Sequence, residues 1–114
     1  MSITIYHNPR CGKSREGLKI LDDMGVEFET RLYLKEPFSE NELKTVIHKL
    51  GISPKELLRT KETIFKENFK DKDLSDQEIM QAMLDHPKLI ERPIVVNNDR
   101  AVIGRPPSSI KDIF

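Results

Sequence analysis

The chain is 114 residues long, 37% apolar and 33% charged, with 19 basic residues against 19 acidic ones. Such a chain has room for a single domain with one modest core, and it has no apolar run near the ~20 residues that span a bilayer. Zero formal net charge argues against a broad nucleic-acid surface. Met1-Ser2-Ile3-Thr4 lacks the basic stretch and apolar core of a signal peptide, so the cytoplasm is the expected location.

In chain order, Ile3-Thr4-Ile5-Tyr6 is β-rich and predicts a first strand, ended by the loop His7-Asn8-Pro9-Arg10. A helix is expected from about Cys11 to Met24, burying Leu18, Leu21 and Met24, with Gly25 as its C-terminal stop. Partial alternation through Phe28, Leu32 and Leu34 predicts a second strand within Val26–Leu34. Three capping boxes follow, at Ser39–Glu42, Ser53–Glu56 and Ser75–Glu78. The first opens a helix with Leu43, Val46, Ile47 and Leu50 on one face. The second opens a short helix carrying Leu57, Leu58 and Arg59. The third leads into Ile79, Ala82 and Met83. Thr60 is the expected cap of a further short piece with Ile64 and Phe65, and His86-Pro87 ends the helical stretch. Ile94-Val95-Val96 and Ala101-Val102-Ile103 flank a polar Asn97-Asn98-Asp99 turn and predict a hairpin, and a closing helix is expected over Ser108–Phe114. The sum is an α/β chain of β-α-β then β-β-α order. That is the thioredoxin-like arrangement around a mixed four-stranded sheet, with a helical insertion at about 39–86.

Chemistry concentrates at Cys11, the one cysteine. A lone cysteine is ordinarily a small buried hydrophobe. This one, however, falls between a strand and a helix, where unpaired amides and the helix dipole favour an anion. Arg10, Lys13, Arg15 and Lys19 surround it against Glu16 alone. Helix N-termini and nearby cations favour the nucleophilic thiolate, and the same features hold an oxyanion. Several alternatives fail on spacing. Gly12-Lys13-Ser14 lacks the upstream glycine of a phosphate-binding P-loop, because His7 is there. A tyrosine-phosphatase loop wants arginine six residues after the cysteine, where Gly17 stands. Ser14 replaces the second cysteine of a Cys-x-x-Cys pair, so a mixed disulfide at Cys11 needs an external thiol to resolve it. A Cys11–His7 metal pair has no further cluster to support it, and no metal is expected.

The segment His7-Asn8-Pro9-Arg10-Cys11-Gly12-Lys13-Ser14-Arg15 resembles the ArsC-type, glutaredoxin-linked arsenate reductase family. The likeness continues through Leu57-Leu58-Arg59, Glu91-Arg92-Pro93-Ile94-Val95 and Ile103-Gly104-Arg105-Pro106-Pro107. The resemblance implies that Cys11 attacks arsenate and that His7 helps to keep its thiolate. It also implies that Arg59, Arg92 and Arg105, with Ser14, bind the oxyanion, and that Pro93 is cis. Planar guanidinium groups suit a tetrahedral oxyanion, and a following proline stiffens Arg92 and Arg105. Glutathione as co-substrate and glutaredoxin as partner are implied, with no bound cofactor. Spx-type regulators that bind RNA polymerase share the size and fold, but many carry the second cysteine that Ser14 replaces. A thiol protein acting on another oxyanion is the third reading.

Overall fold

The computed structural model describes residues 2–114. Contacts divide the chain into two compact units. One is formed by the described residues up to Glu36 with Arg92–Phe114, and the other by Pro37–Glu91.

The first unit holds strands β1 (Ile3–Tyr6), β2 (Glu29–Arg31), β3 (Ile94–Asn97) and β4 (Arg100–Ile103), helix α1 (Gly12–Asp23) and a closing 3₁₀ helix, Pro107–Ile113. The sheet order is β2-β1-β3-β4, with β1 parallel to β2 and antiparallel to β3, which pairs antiparallel with β4. This is the mixed, thioredoxin-like sheet expected from the β-α-β then β-β-α order. Period-two alternation turns Ile3 and Ile5 to one face, in register with Asn97 and Val95. They join Leu21, Val95, Ile110 and Ile113 in the core cluster, against which Leu18, Ile20, Val26, Phe28 and Val102 pack. Leu21 is fully buried, and truncating it to alanine costs about 2–5 kcal/mol.

Three local features differ from expectation. β2 is three residues long, because the chain turns at Leu32, whose carbonyl accepts from the amides of Lys35 and Glu36. Leu34 is consequently exposed. Gly25 does follow α1, with φ +71°, but Leu18 and Met24 are only half-buried. The last helix is 3₁₀ rather than α, with i→i+3 bonds from Ser109 to Pro106 and from Phe114 to Lys111.

The second unit holds α2 (Glu40–Leu50), α3 (Pro54–Leu57), α4 (Thr63–Asn68), α5 (Asp76–Asp85) and the 3₁₀ turn Pro87–Leu89. Ser39 accepts from the Glu42 amide, Glu56 reaches back to the Ser53 amide, and Ser75 and Glu78 bond reciprocally. Leu43, Val46, Ile47, Ile79, Ala82 and Met83 are buried, as their helical spacing requires. Gly51 ends α2 with φ +68°. Glu62, not Thr60, caps α4, because residues 59–62 form a turn closed by the Glu62 amide on the Arg59 carbonyl. α3 stops at Leu57, so Leu58 and Arg59 are extended. Leu58 bridges Ile90, with bonds from Arg59 N to Leu89 O at 2.7 Å and from Glu91 N to Leu57 O at 2.9 Å.

Candidate active site

The site is built on the turn between β1 and α1. The Asn8 side-chain oxygen accepts from the Arg10 amide at 3.0 Å, and the Asn8 carbonyl accepts from the Cys11 amide at 3.0 Å. This Asx turn reverses the chain and delivers Cys11 to the N-cap of α1. Cys11 is half-buried, and the first intrahelical bond runs from the Arg15 amide to its carbonyl. The first turn of α1 has no acidic residue. The positive helix end is therefore left to the sulfur and to an anion beside it. Arg15 bonds the Pro9 carbonyl at 3.0 Å and so ties the helix back to the turn.

The segment after β4 meets this turn. Arg105 Nη2 donates to Cys11 Sγ at 3.7 Å, and Arg105 Nε donates to the Arg92 carbonyl at 2.9 Å. One guanidinium therefore joins the sulfur to the segment that carries Arg92. The Arg92–Pro93 bond is cis, as the family pattern implies, and so is Arg105–Pro106. Pro93 is fully buried, and the Gly104 amide donates to its carbonyl at 2.8 Å. Glycines let the proline ring fit. A Cβ on Gly17 would lie 2.9 Å from Pro93 Cγ, and one on Gly104 would lie 2.8 Å from it.

His7 is buried, and its Nδ1 lies 2.7 Å from Ser14 Oγ. Its pKa is lowered first by burial and then by the Arg15 charge, while a hydrogen bond with the Ser14 backbone works in the opposite sense. The imidazole is thus favoured neutral. The His7 ring meets the Ser14 side chain, and the Cys11 sulfur meets that of Arg105. Ser14, expected among the oxyanion ligands, has no exposed surface, and its hydroxyl is bonded to His7 and to the Asn8 amide. In this arrangement the Ser14 hydroxyl is engaged with the turn before α1. Arg59 belongs to the Pro37–Glu91 unit, where its guanidinium pairs with Glu62 at 2.6 Å and lies 3.9 Å from Glu91.

The first unit thus brings together Cys11, Arg105, the Arg92 backbone, His7 and Ser14. Three contributors went unnoticed in the sequence. Asn8 was signalled by the Asn-Pro pair, a turn-initiating signature. Glu62 and Glu91, the partners of Arg59, left no such signal. Among the described residues no group of three His, Cys, Asp or Glu side chains could hold a metal.

The sequence profile of the ArsC family matches residues 6–113. The chain is 46% identical, over the whole of both sequences, to a Haemophilus influenzae protein named arsenate reductase. It is 50% identical to the uncharacterized protein YfgD of Escherichia coli, over 97% of this chain and 95% of that one. Among solved structures, arsenate reductase from Vibrio cholerae superposes with a TM-score of 0.94 at 46% identity, covering 100% of this chain and 98% of that one.

Proposed function

This chain belongs to the ArsC family, and on that premise we propose that it reduces arsenate to arsenite with Cys11 as the nucleophile. The observation that carries the reading is the Arg105 guanidinium 3.7 Å from Cys11 Sγ at the N-terminus of α1. A fixed cation and unpaired amides favour both the thiolate and a tetrahedral oxyanion beside it. Arg92 and Arg105 are the proposed oxyanion ligands of this unit. Arg59 joins them on the strength of the family motif.

In the proposed sequence the Cys11 thiolate attacks arsenic. A sulfur–arsenic bond forms, and an arsenic–oxygen bond breaks with loss of water. Glutathione thiolate then attacks the Cys11 sulfur. A sulfur–sulfur bond forms, and the sulfur–arsenic electron pair stays on arsenic, which leaves as the trivalent species. Glutaredoxin resolves the resulting mixed disulfide by thiol–disulfide exchange. Ser14 in place of a second cysteine supports this dependence on outside thiols. Such thiol chemistry suits the reducing cytoplasm. Among the described residues, no helix is long and apolar enough to cross a membrane.

The test follows NADPH oxidation with arsenate, glutathione, glutaredoxin and glutathione reductase. Turnover that saturates with arsenate in the wild type and falls to background in Cys11→Ser is the expected result. No wild-type turnover with a verified coupling system would remove arsenate as substrate.

A further inference from the structure

Ser14 is the third residue of α1, yet its hydroxyl points back to the turn. Its oxygen lies 2.7 Å from His7 Nδ1 and 2.9 Å from the Asn8 backbone nitrogen, and the residue is fully buried. Chemistry sorts these two contacts by donor. The Asn8 amide only donates, so it takes one lone pair of the Ser14 oxygen. The hydroxyl proton then needs an acceptor, and among the described contacts His7 Nδ1 is the one that offers a lone pair. In the reverse arrangement Nδ1–H would donate to the oxygen and strand a buried hydroxyl proton, which folded proteins avoid.

We propose that Ser14 is a positioning residue: its hydroxyl donates to His7 Nδ1, holding the imidazole as the neutral tautomer protonated at Nε2, while its oxygen pins the Asn8 amide. Asn8 in turn bonds the amides of Arg10 and Cys11, so the Ser14 bonds fix the turn that presents the sulfur. The surroundings of His7 agree, since burial and then the nearby Arg15 charge outweigh a hydrogen bond with the Ser14 backbone and disfavour an imidazolium. Positive charge at Cys11 Sγ then comes from Arg105 and the helix end, and His7 serves as part of a neutral brace. A thiol is a weaker donor than a hydroxyl, so a cysteine at position 14 would gain a redox pair and loosen this brace.

The first experiment is a long-range ¹H–¹⁵N correlation spectrum of the wild-type protein at neutral pH, which reports the tautomer of each histidine. His7 assigned as neutral with its proton on Nε2 is the expected result. An Nδ1–H or imidazolium signature overturns the proposal. In Ser14→Ala, shown folded by circular dichroism, the His7 signature is expected to shift toward a tautomer mixture. In Ser14→Thr, which retains the hydroxyl, it is expected to return. A signature unchanged in Ser14→Ala also overturns the proposal.

A kinetic arm rests on the reductase reading. Ser14→Ala is expected to lower kcat about tenfold with KM nearly constant, and Ser14→Thr to recover most of it. Unchanged kcat in Ser14→Ala removes the positioning role. The two readings fail separately. If the wild type shows the Nε2–H signature but no arsenate turnover, the brace stands and the substrate assignment falls.

Discussion

The two compact units bury different chemistry. Within Pro37–Glu91 the fully buried side chains are apolar, and polar groups work at helix ends or in ion pairs such as Lys44–Glu40 and Arg59–Glu62. The other unit adds His7, Asn8 and Ser14, the buried polar residues among the described ones, all in or beside the turn before α1. Apolar packing is non-directional and tolerates repacking, whereas a buried hydrogen bond fixes both partners or leaves one costly and unmet. The buried interior of the helical unit is thus organised for stability, and the turn of the sheet unit for position.

Substitutions can break or sharpen that contrast. The largest effect is expected at Arg105, whose Nε and Nη2 reach two different groups. Arg105→Lys has no fork to span them, and kcat/KM for arsenate is expected to fall about 100-fold, with the thermal midpoint nearly unchanged. A large loss of stability instead would make Arg105 a structural tie. Gly17→Ala comes next. Its Cβ would press on Pro93 Cγ at 2.9 Å and Ile110 Cδ1 at 3.0 Å, and overpacking of this kind costs about 1–3 kcal/mol in urea unfolding. Activity should fall with it, because Pro93 adjoins Arg92.

At the helix caps of the Pro37–Glu91 unit the effects should be smaller and confined to stability. Ser75→Ala removes the acceptor for the Glu78 amide and should cost about 1 kcal/mol, with turnover unchanged. A matching loss of turnover would show that the helical unit is not a separate support. The smallest effect is in pH dependence. Burial, then the Arg15 charge, holds the His7 pKa below its ordinary 6.5. The folded state therefore binds that proton less readily than the unfolded chain. The His7 contribution is intact above about pH 6.5, and stability is lost as pH falls from there through the lower folded value. His7→Gln should flatten that part of a urea-midpoint profile measured between about pH 7.5 and 5. An unchanged slope would mean that His7 is not protected from protonation.

The same contrast explains what was legible in the sequence. Ser39, Ser53 and Ser75 announce their helices because a cap and its partner lie three residues apart. The hairpin announces itself through Asn98, which takes a left-handed φ of +56°. Cys11 and Arg105 were legible as residue types but not as neighbours, since their contact joins positions 94 apart in the chain. The bonds of Ser14 were not legible either, since its partners lie seven and six positions upstream. β2 was overestimated because Leu32 and Leu34 continue the alternation past the turn that ends pairing.

The packing of Pro93 also limits what this loop could evolve into. Gly17 stands where a tyrosine-phosphatase loop would carry its arginine, six residues beyond the cysteine. Any side chain there meets the proline ring before it reaches solvent. An arginine there would require Pro93 to change first, and Pro93 adjoins Arg92. One buried proline thus closes this position to a phosphatase-type arginine. A loop built this way draws the guanidinium at its sulfur, that of Arg105, from 94 positions along the chain.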